Sequence, residues 1–251
     1  MGEAFAGIRD KVVIATKCGI TDTGERNFSI PYVTRCIEGS LEKLKTDYID
    51  IFQLTKPTVA QVTDELLSFF ERKIKDGTVR HFGISVVGVQ DGRIYLAKKE
   101  VESLQIFYNL LFIESHDLIK DCAGKNKFVI IRSPLNSGIL SGRYTLKTKF
   151  ENVDIRNRIF KGPLLKERLE CVEKMKSRFG LTSEELLEFS LNFIFSNDSV
   201  NVVIPAASNL EQLKRYIEIF NENKRFSKTE IIEIVDFIQN KVSIKDAGQL
   251  I

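Results

Sequence analysis

Apolar residues along the chain fall in short runs separated by stretches with helical spacing. Val12–Thr16 (VVIAT) is a continuous apolar run of strand length and reads as a fully buried strand. A helix is expected from about Pro31, where Val33, Ile37, Leu41 and Leu44 keep helical spacing and Ser29 offers a cap. Ile49–Leu54 is a second strand. Val59, Val62, Leu66, Phe70 and Ile74 mark a long amphipathic helix, with Gly77 at its C-terminal cap. Val79–Ser85 is the third strand, a short helix carries Ile94 and Ala97, and Glu102–Phe107 is the fourth strand. A short helix over His116–Cys122 leads to the fifth strand, Phe128–Arg132. An excursion rich in Gly, Ser, Asn and Arg then runs from Ser133 to Lys161, and a break of that length in a regular alternation points to a functional loop. A helix over Leu164–Phe179 follows, then one whose capping box pairs Thr182 with Glu185. The sixth strand is Val200–Ile204, and two helices capped by Ser208 with Glu211 and by Ser227 with Glu230 close the pattern.

Strand–helix alternation with apolar strands predicts an α/β fold in which helices cover a parallel sheet. Both an open doubly wound sheet and a closed (β/α) barrel have this pattern. The open sheet usually announces itself by a glycine-rich turn after its first strand, and here that turn reads TKCGIT, without GxGxxG. The reading favoured is a single TIM-type barrel domain over residues 1–251, incomplete, with six of the usual eight strands. Its outer strands, VVIAT and VNVVI, would be bare apolar edges, so a second copy of the chain, a partner protein, a rearranged N-terminus or residues outside this sequence must cover them.

Composition leaves this picture in place. The 37 Lys+Arg against 34 Asp+Glu leave a net charge of +3, too small and dispersed for a nucleic-acid or membrane surface. Cys18, Cys36, Cys122 and Cys171 are widely spaced, which suggests neither a zinc site nor a disulfide framework. No run approaches the roughly 20 apolar residues of a membrane span. The first residues do not read as a targeting signal, and Met1-Gly2 is a weak myristoylation start because Ala6 stands where Ser or Thr is usual. A reducing cytoplasm is the expected location.

The strand ends carry polar groups in a particular order: IATKCG, YIDIFQLTKP, GTVRHFGIS, SLQIFYNLL, IIRSPLNSGILSGRY and VVIPAASNLEQL. In this order and across essentially the whole chain, they resemble the aldo-keto reductase family. The resemblance implies NADP(H) bound across the C-terminal mouth of a barrel and a small carbonyl compound as the other ligand. It also implies hydride transfer from nicotinamide to that carbonyl, with a tyrosine as general acid tuned by a lysine and an aspartate, and a histidine orienting the carbonyl. Lys17 matches the family lysine; as an ammonium ending a buried strand it needs either that role or an ion pair across the barrel mouth. Ser85 and Gln105 match carboxamide contacts of the nicotinamide, although Val86 replaces the usual asparagine beside the serine. Arg132 stands where many members stack an aromatic ring. Ser133, Leu135, Ser137 and Gly138 match a loop that cradles pyrophosphate; Ser133-Pro134 reads equally as a plain turn. Ser208 and Gln212 match the adenosine-phosphate end at a helix N-terminus, with Lys214 or Arg215 placed for a 2′-phosphate; Ser208 reads equally as a cap. Ala206 and Tyr216 depart from the family pattern there.

Two further departures bear on activity. Thr55 in QLTKP occupies the histidine position and can donate a hydrogen bond but cannot carry a proton as imidazole does. The family tyrosine and aspartate belong to the first two βα units, and this chain begins at GEAFAGIRDKVVIATK, which resembles the end of the second helix, so roughly 60 residues are expected to be missing. None of Tyr32, Tyr48, Tyr95, Tyr108, Tyr144 and Tyr216 matches the acid. The expected function is therefore a truncated pseudoenzyme that keeps part of an NADP(H) cleft. The alternatives are an active NADPH-dependent carbonyl reductase whose N-terminal part lies outside this sequence, and a non-catalytic binding or regulatory subunit on a barrel scaffold. Substrate is not readable; the tail SIKDAGQLI is short and polar.

Overall fold

The computed structural model describes residues 1–160 and 162–242; Lys161 and the polar tail 243–251 fall outside them. The described residues divide into two compact units: Met1–Ile106 with Leu118–Val129, and Phe107–Asp117 with the chain from Ile130 onward.

In the first unit, strand and helix alternate as β1 (Ala15–Cys18), α1 (Ile30–Leu44), β2 (Ile49–Thr55), α2 (Asp64–Lys75), β3 (Val79–Ser85), α3 (Val89–Leu96) and β4 (Ser103–Phe107). Helix α4 (His116–Ala123) and strand β5 (Phe128–Arg132) begin and end across the division between the units. Strands β1 to β4 pair in chain order and in parallel. Phe128 N–H donates to Glu102 O at 2.9 Å, so β5 opens beside the start of β4. On one face of this sheet Phe70 of α2 stacks on Phe82 with centroids 3.8 Å apart and leans on Phe52 at 5.9 Å. Gly83 is where β3 meets β4 most tightly: a Cβ there would lie 2.7 Å from Ser103 O. In α4, Cys122 is fully buried, and desolvation pushes its thiol up to about 12.

In the second unit, β5 continues and pairs in parallel with β6 (Val202–Ile204), Ile130 opposite Val202 and Arg132 opposite Ile204. A 3-10 segment (Asn136–Ser141) follows β5, then α5 (Ile155–Ile159), α6 (Leu164–Phe179), α7 (Glu185–Phe195), β6, α8 (Leu210–Glu222) and α9 (Lys228–Lys241). The α/β class and the parallel, sequential strand order are those expected, with no reversed order of the doubly wound kind in either unit.

The differences from expectation have local causes. The first strand is Ala15–Cys18 and only partly buried: Ala15 and Lys17 are exposed while Cys18 is covered, and Val13 ahead of it is 75% exposed. Side chains claim the backbone ahead of it, because Arg9 Nη1 donates to Val12 O at 2.9 Å and Ile14 N–H donates to Asp50 Oδ2 at 2.9 Å. Asp50 also pairs with Arg9 at 2.7 Å and Arg80 at 3.1 Å, and both guanidiniums lie over the Tyr48 ring, at 3.9 and 3.7 Å. The helix expected from Val59 is split. A 3-10 turn (Val59–Gln61) precedes α2, which Thr63 starts by accepting from Leu66 N–H at 3.2 Å. Ser29 precedes α1, but its hydroxyl donates to Asn27 Oδ1 instead of capping. At α8 the cap is Asn209, which accepts from Gln212 N–H, and not Ser208 with Glu211. The Thr182–Glu185 and Ser227–Glu230 boxes form as expected.

Both outer strands expose apolar atoms. Val202 and Ile204 of β6 are 38% and 41% exposed, and neither β1 nor β6 has a second strand neighbour among the described residues. Helix α8 buries Ile219 yet leaves Leu210, Leu213, Ile217 and Phe220 exposed, at the spacing of a single helical stripe.

Candidate cofactor site

The candidate residues form two groups, one in each unit. The first grows from strand parity. Phe52 and Phe82 face α2, so Gln53, Thr55, Gly83 and Ser85 face the opposite side of the sheet. Register then sets Lys17 beside Gln53, Thr55 beside Ser85, and Ser85 beside Gln105. Ser85 Oγ donates to Gln105 Oε1 at 3.3 Å, and Gln105 Nε2 donates to Gln53 Oε1 at 2.9 Å; all three residues are buried. The series of donors ends at Gln53 Nε2, which is buried without a hydrogen-bond partner. Leaving such a donor unmade costs roughly 1–3 kcal/mol, and it suits an incoming carbonyl or carboxamide oxygen. Val86 is buried, but its N–H donates to Gln105 O at 3.0 Å and so fixes the β4 end of the same group. Lys56 N–H donates to Ser85 O at 2.8 Å, which holds half-buried Thr55 against Ser85.

Lys17 is the penultimate residue of β1 and is exposed. The desolvation argument for a working lysine fails here, because the strand carrying it is an outer strand of the sheet. Gln53 belongs to none of the family-matching positions of the strand ends. Its place between Lys17 and Gly83 becomes visible only once strand parity and register are known.

The second group begins where β5 ends. The Arg132 guanidinium lies 4.9 Å over the Phe107 ring, and burial lowers its pKa to about 10. The next residues form a left-handed turn. Ser133 has φ 54°, and Asn136, Ser137 and Gly138 follow with φ 48°, 53° and 98°. Each non-glycine residue held there costs roughly 1–2 kcal/mol, so the surroundings must hold it. They do: Asn109 Nδ2 donates to Ser133 O at 3.0 Å, the Tyr144 hydroxyl to Ser137 O at 3.1 Å, and Ser141 Oγ to Gly138 O at 2.6 Å. Leu135 is buried beneath the turn. At Gly138 a Cβ would sit 2.8 Å from Tyr144 Cζ, so only glycine lets the ring close over the turn. Ser208 and Gln212 are brought together, Ser208 N–H donating to Gln212 Oε1 at 2.9 Å, but that contact serves the N-terminus of α8. Arg215 is engaged by Glu188 at 3.0 Å, which leaves Lys214 as the exposed cation of this helix turn.

The tyrosines are occupied elsewhere. Tyr32 donates to Ile20 O, Tyr95 to Pro57 O and Tyr216 to Ala206 O, Tyr108 is bonded to His116 Nδ1 at 2.6 Å, and Tyr48 lies between two arginines. Desolvation raises Tyr32 and Tyr95 to about 12 and moves Tyr108 and Tyr216 upward too, away from the range a general acid needs.

Parallel strands in sequential order, alternating with helices, define an α/β protein of the parallel-sheet class. The chain belongs to the aldo/keto reductase family, whose sequence model it matches over residues 1–239. It is 26% identical over 237 residues to an uncharacterized oxidoreductase, YqkF, of Bacillus subtilis, covering 92% of this chain and 75% of that protein. It is likewise 26% identical to the aldo-keto reductase YhdN of the same organism, of which it covers 66% while 85% of this chain is matched. Among solved structures, the holo form of an aldo-keto reductase from Bacillus halodurans superimposes with TM-score 0.78 at 24% identity, over 99% of this chain and 79% of that one. An aldo/keto reductase of Klebsiella pneumoniae solved with NADP and acetate matches with TM-score 0.64 at 19% identity, over 100% of this chain and 77% of that one. No described helix is long and apolar enough to cross a membrane.

Proposed function

We propose that the chain binds NADP(H) as half of an oxidoreductase cleft, and that in its present form it lacks the proton donor for carbonyl reduction. The observation carrying this is the Ser85–Gln105–Gln53 series with its unused buried amide donor. A nicotinamide carboxamide presents the oxygen that such a donor lacks and an NH₂ that the Ser85 hydroxyl oxygen can accept. Bound there, NADPH would supply hydride. In the first unit Ser85, Gln105 and Gln53 would orient the carboxamide and Thr55 would offer a hydrogen bond to a carbonyl; in the second, by family resemblance, the turn at Ser133–Gly138 would receive pyrophosphate and Ser208, Gln212 and Lys214 the adenosine phosphate end. Lys17 is a cation beside that carbonyl without a tyrosine to tune.

A fluorescence titration of the purified chain with NADPH tests this. Saturable binding that weakens about tenfold in Gln105→Leu, the order of one lost polar contact, is the expected result. No binding at millimolar NADPH would leave the scaffold reading, a regulatory or binding subunit, in its place.

A second reading is supported by the exposed apolar stripe of α8 and by β6: the chain is completed by further polypeptide, either upstream residues that restore an active carbonyl reductase or a partner. Sheet edges and apolar stripes of this kind drive association. Light scattering on the isolated chain is expected to give a mass of two or more copies, and a monodisperse monomer at micromolar concentration would count against it.

A further inference from the structure

Among the described residues the largest fully buried side chain is a cation. Arg168 of α6 is 1% exposed, and its guanidinium meets no carboxylate within 4.0 Å among the described residues. Its contacts are neutral: Nη1 donates to Asn136 Oδ1 at 2.9 Å, and the group lies 5.0 Å over the Phe112 ring. Arg168 Nε is buried without a partner, and so is Asn136 Nδ2. Asn136 is itself 1% exposed and opens the run of left-handed residues after β5. Helix α6 packs directly on that 3-10 segment. A buried cation whose direct contacts are an amide and a ring, with Glu167 acting on it only through space, is expensive to keep. Burial accordingly pushes the Arg168 pKa down.

We propose that Arg168 is a positioning residue for an anion: its unpaired charge, passed through Asn136, makes the turn at Ser133–Gly138 a diphosphate-binding element. This rests on the reading of that turn as the pyrophosphate end of the cofactor cleft and names the residue that charges it. Arg168 supplies two things. Its hydrogen bond orients the Asn136 side chain, while Asn109, Tyr144 and Ser141 hold the turn. Its charge, sealed from water, acts on an anion at the turn with much less screening than a surface cation would. The cost of the buried charge falls when the anion arrives.

The experiment measures inorganic pyrophosphate binding by calorimetry on the full chain, beside NADPH binding and thermal unfolding. Wild-type protein is expected to bind pyrophosphate and to gain thermal stability with it. Arg168→Met keeps the bulk and removes the charge; it is expected to lose at least about tenfold in pyrophosphate affinity while the free protein melts no lower than wild type. A purely structural arginine would instead lower the melting temperature and leave affinity alone. Should Arg168→Met fail to fold, Asn136→Asp places a carboxylate against the guanidinium in a residue type that tolerates positive φ. The same loss of pyrophosphate affinity is expected, with stability unchanged or higher. Undiminished affinity in either variant, or no pyrophosphate binding by wild-type protein, overturns the proposal. If NADPH binds while both variants bind pyrophosphate normally, the Arg168 role falls and the cofactor reading stands. If pyrophosphate binds through Arg168 and NADPH does not, the reverse holds.

Discussion

Purified chain mixed with NADPH and a simple aldehyde is expected to turn over some 10²–10⁴-fold more slowly than an aldo/keto reductase with its proton donor in place. Carbonyl reduction needs a proton delivered to oxygen as hydride reaches carbon. That proton must come from a group within hydrogen-bond reach whose pKa lies near the working pH. The tyrosine hydroxyls here that donate do so to backbone or histidine, and desolvation raises several of them further. Thr55 can point a hydroxyl at a carbonyl, but an alkanol does not give up its proton at neutral pH. On the proposed reading, the absence of such an acid corresponds to roughly 3–5 kcal/mol of barrier. Disappearance of nicotinamide absorbance is the measurement, on protein freed of host reductases. Robust turnover by the chain alone would mean that an acid exists which these residues do not identify, and the same assay on any longer gene product separates the completed-enzyme reading from the pseudoenzyme one.

Asp50→Ala is expected to lower stability by on the order of 3 kcal/mol, as for breaking a buried charge pair by removing one partner. Asp50 joins three things: the ion pair with Arg9, the ion pair with Arg80, and the acceptor for Ile14 N–H. Its removal leaves Arg9, itself largely buried, facing Tyr48 and Arg80 without a counter-charge, and frees the segment ahead of β1. In a chain of this size the loss corresponds to a melting point lower by roughly 6–12 °C. Arg80→Ala should cost no more than about 1 kcal/mol, because its side chain is 53% exposed and water screens the pair. Urea unfolding of the two variants side by side decides it. Equal, small losses would show that the cluster is ornamental.

How much of this was legible in the amino-acid order depends on the range of the forces involved. Strands Val79–Ser85 and Phe128–Arg132 and helix Leu164–Phe179 were readable to the residue, because local apolar runs and helical spacing determine them. The first strand was misplaced, since Arg9 and Asp50, 41 positions apart, decide where the ladder begins. The order of strand ends singles out Ser85 and Gln105 but not Gln53; only register reveals that its amide continues their hydrogen-bonded series. Arg168 carries no local signal at all. In α6 it looks like any arginine of a charged amphipathic helix, and only packing on the turn after β5 shows it sealed from solvent.

The buried thiol of Cys122 has a practical use. A protonated, fully covered sulfur does not react with an alkylating reagent until the surrounding structure opens. Its alkylation rate therefore reports how often α4 comes away from its bed, in native buffer and without any added label. With Cys18, Cys36 and Cys171 replaced by serine, one chemical clock would remain, set inside the first unit. It would time that unit's breathing with and without NADPH.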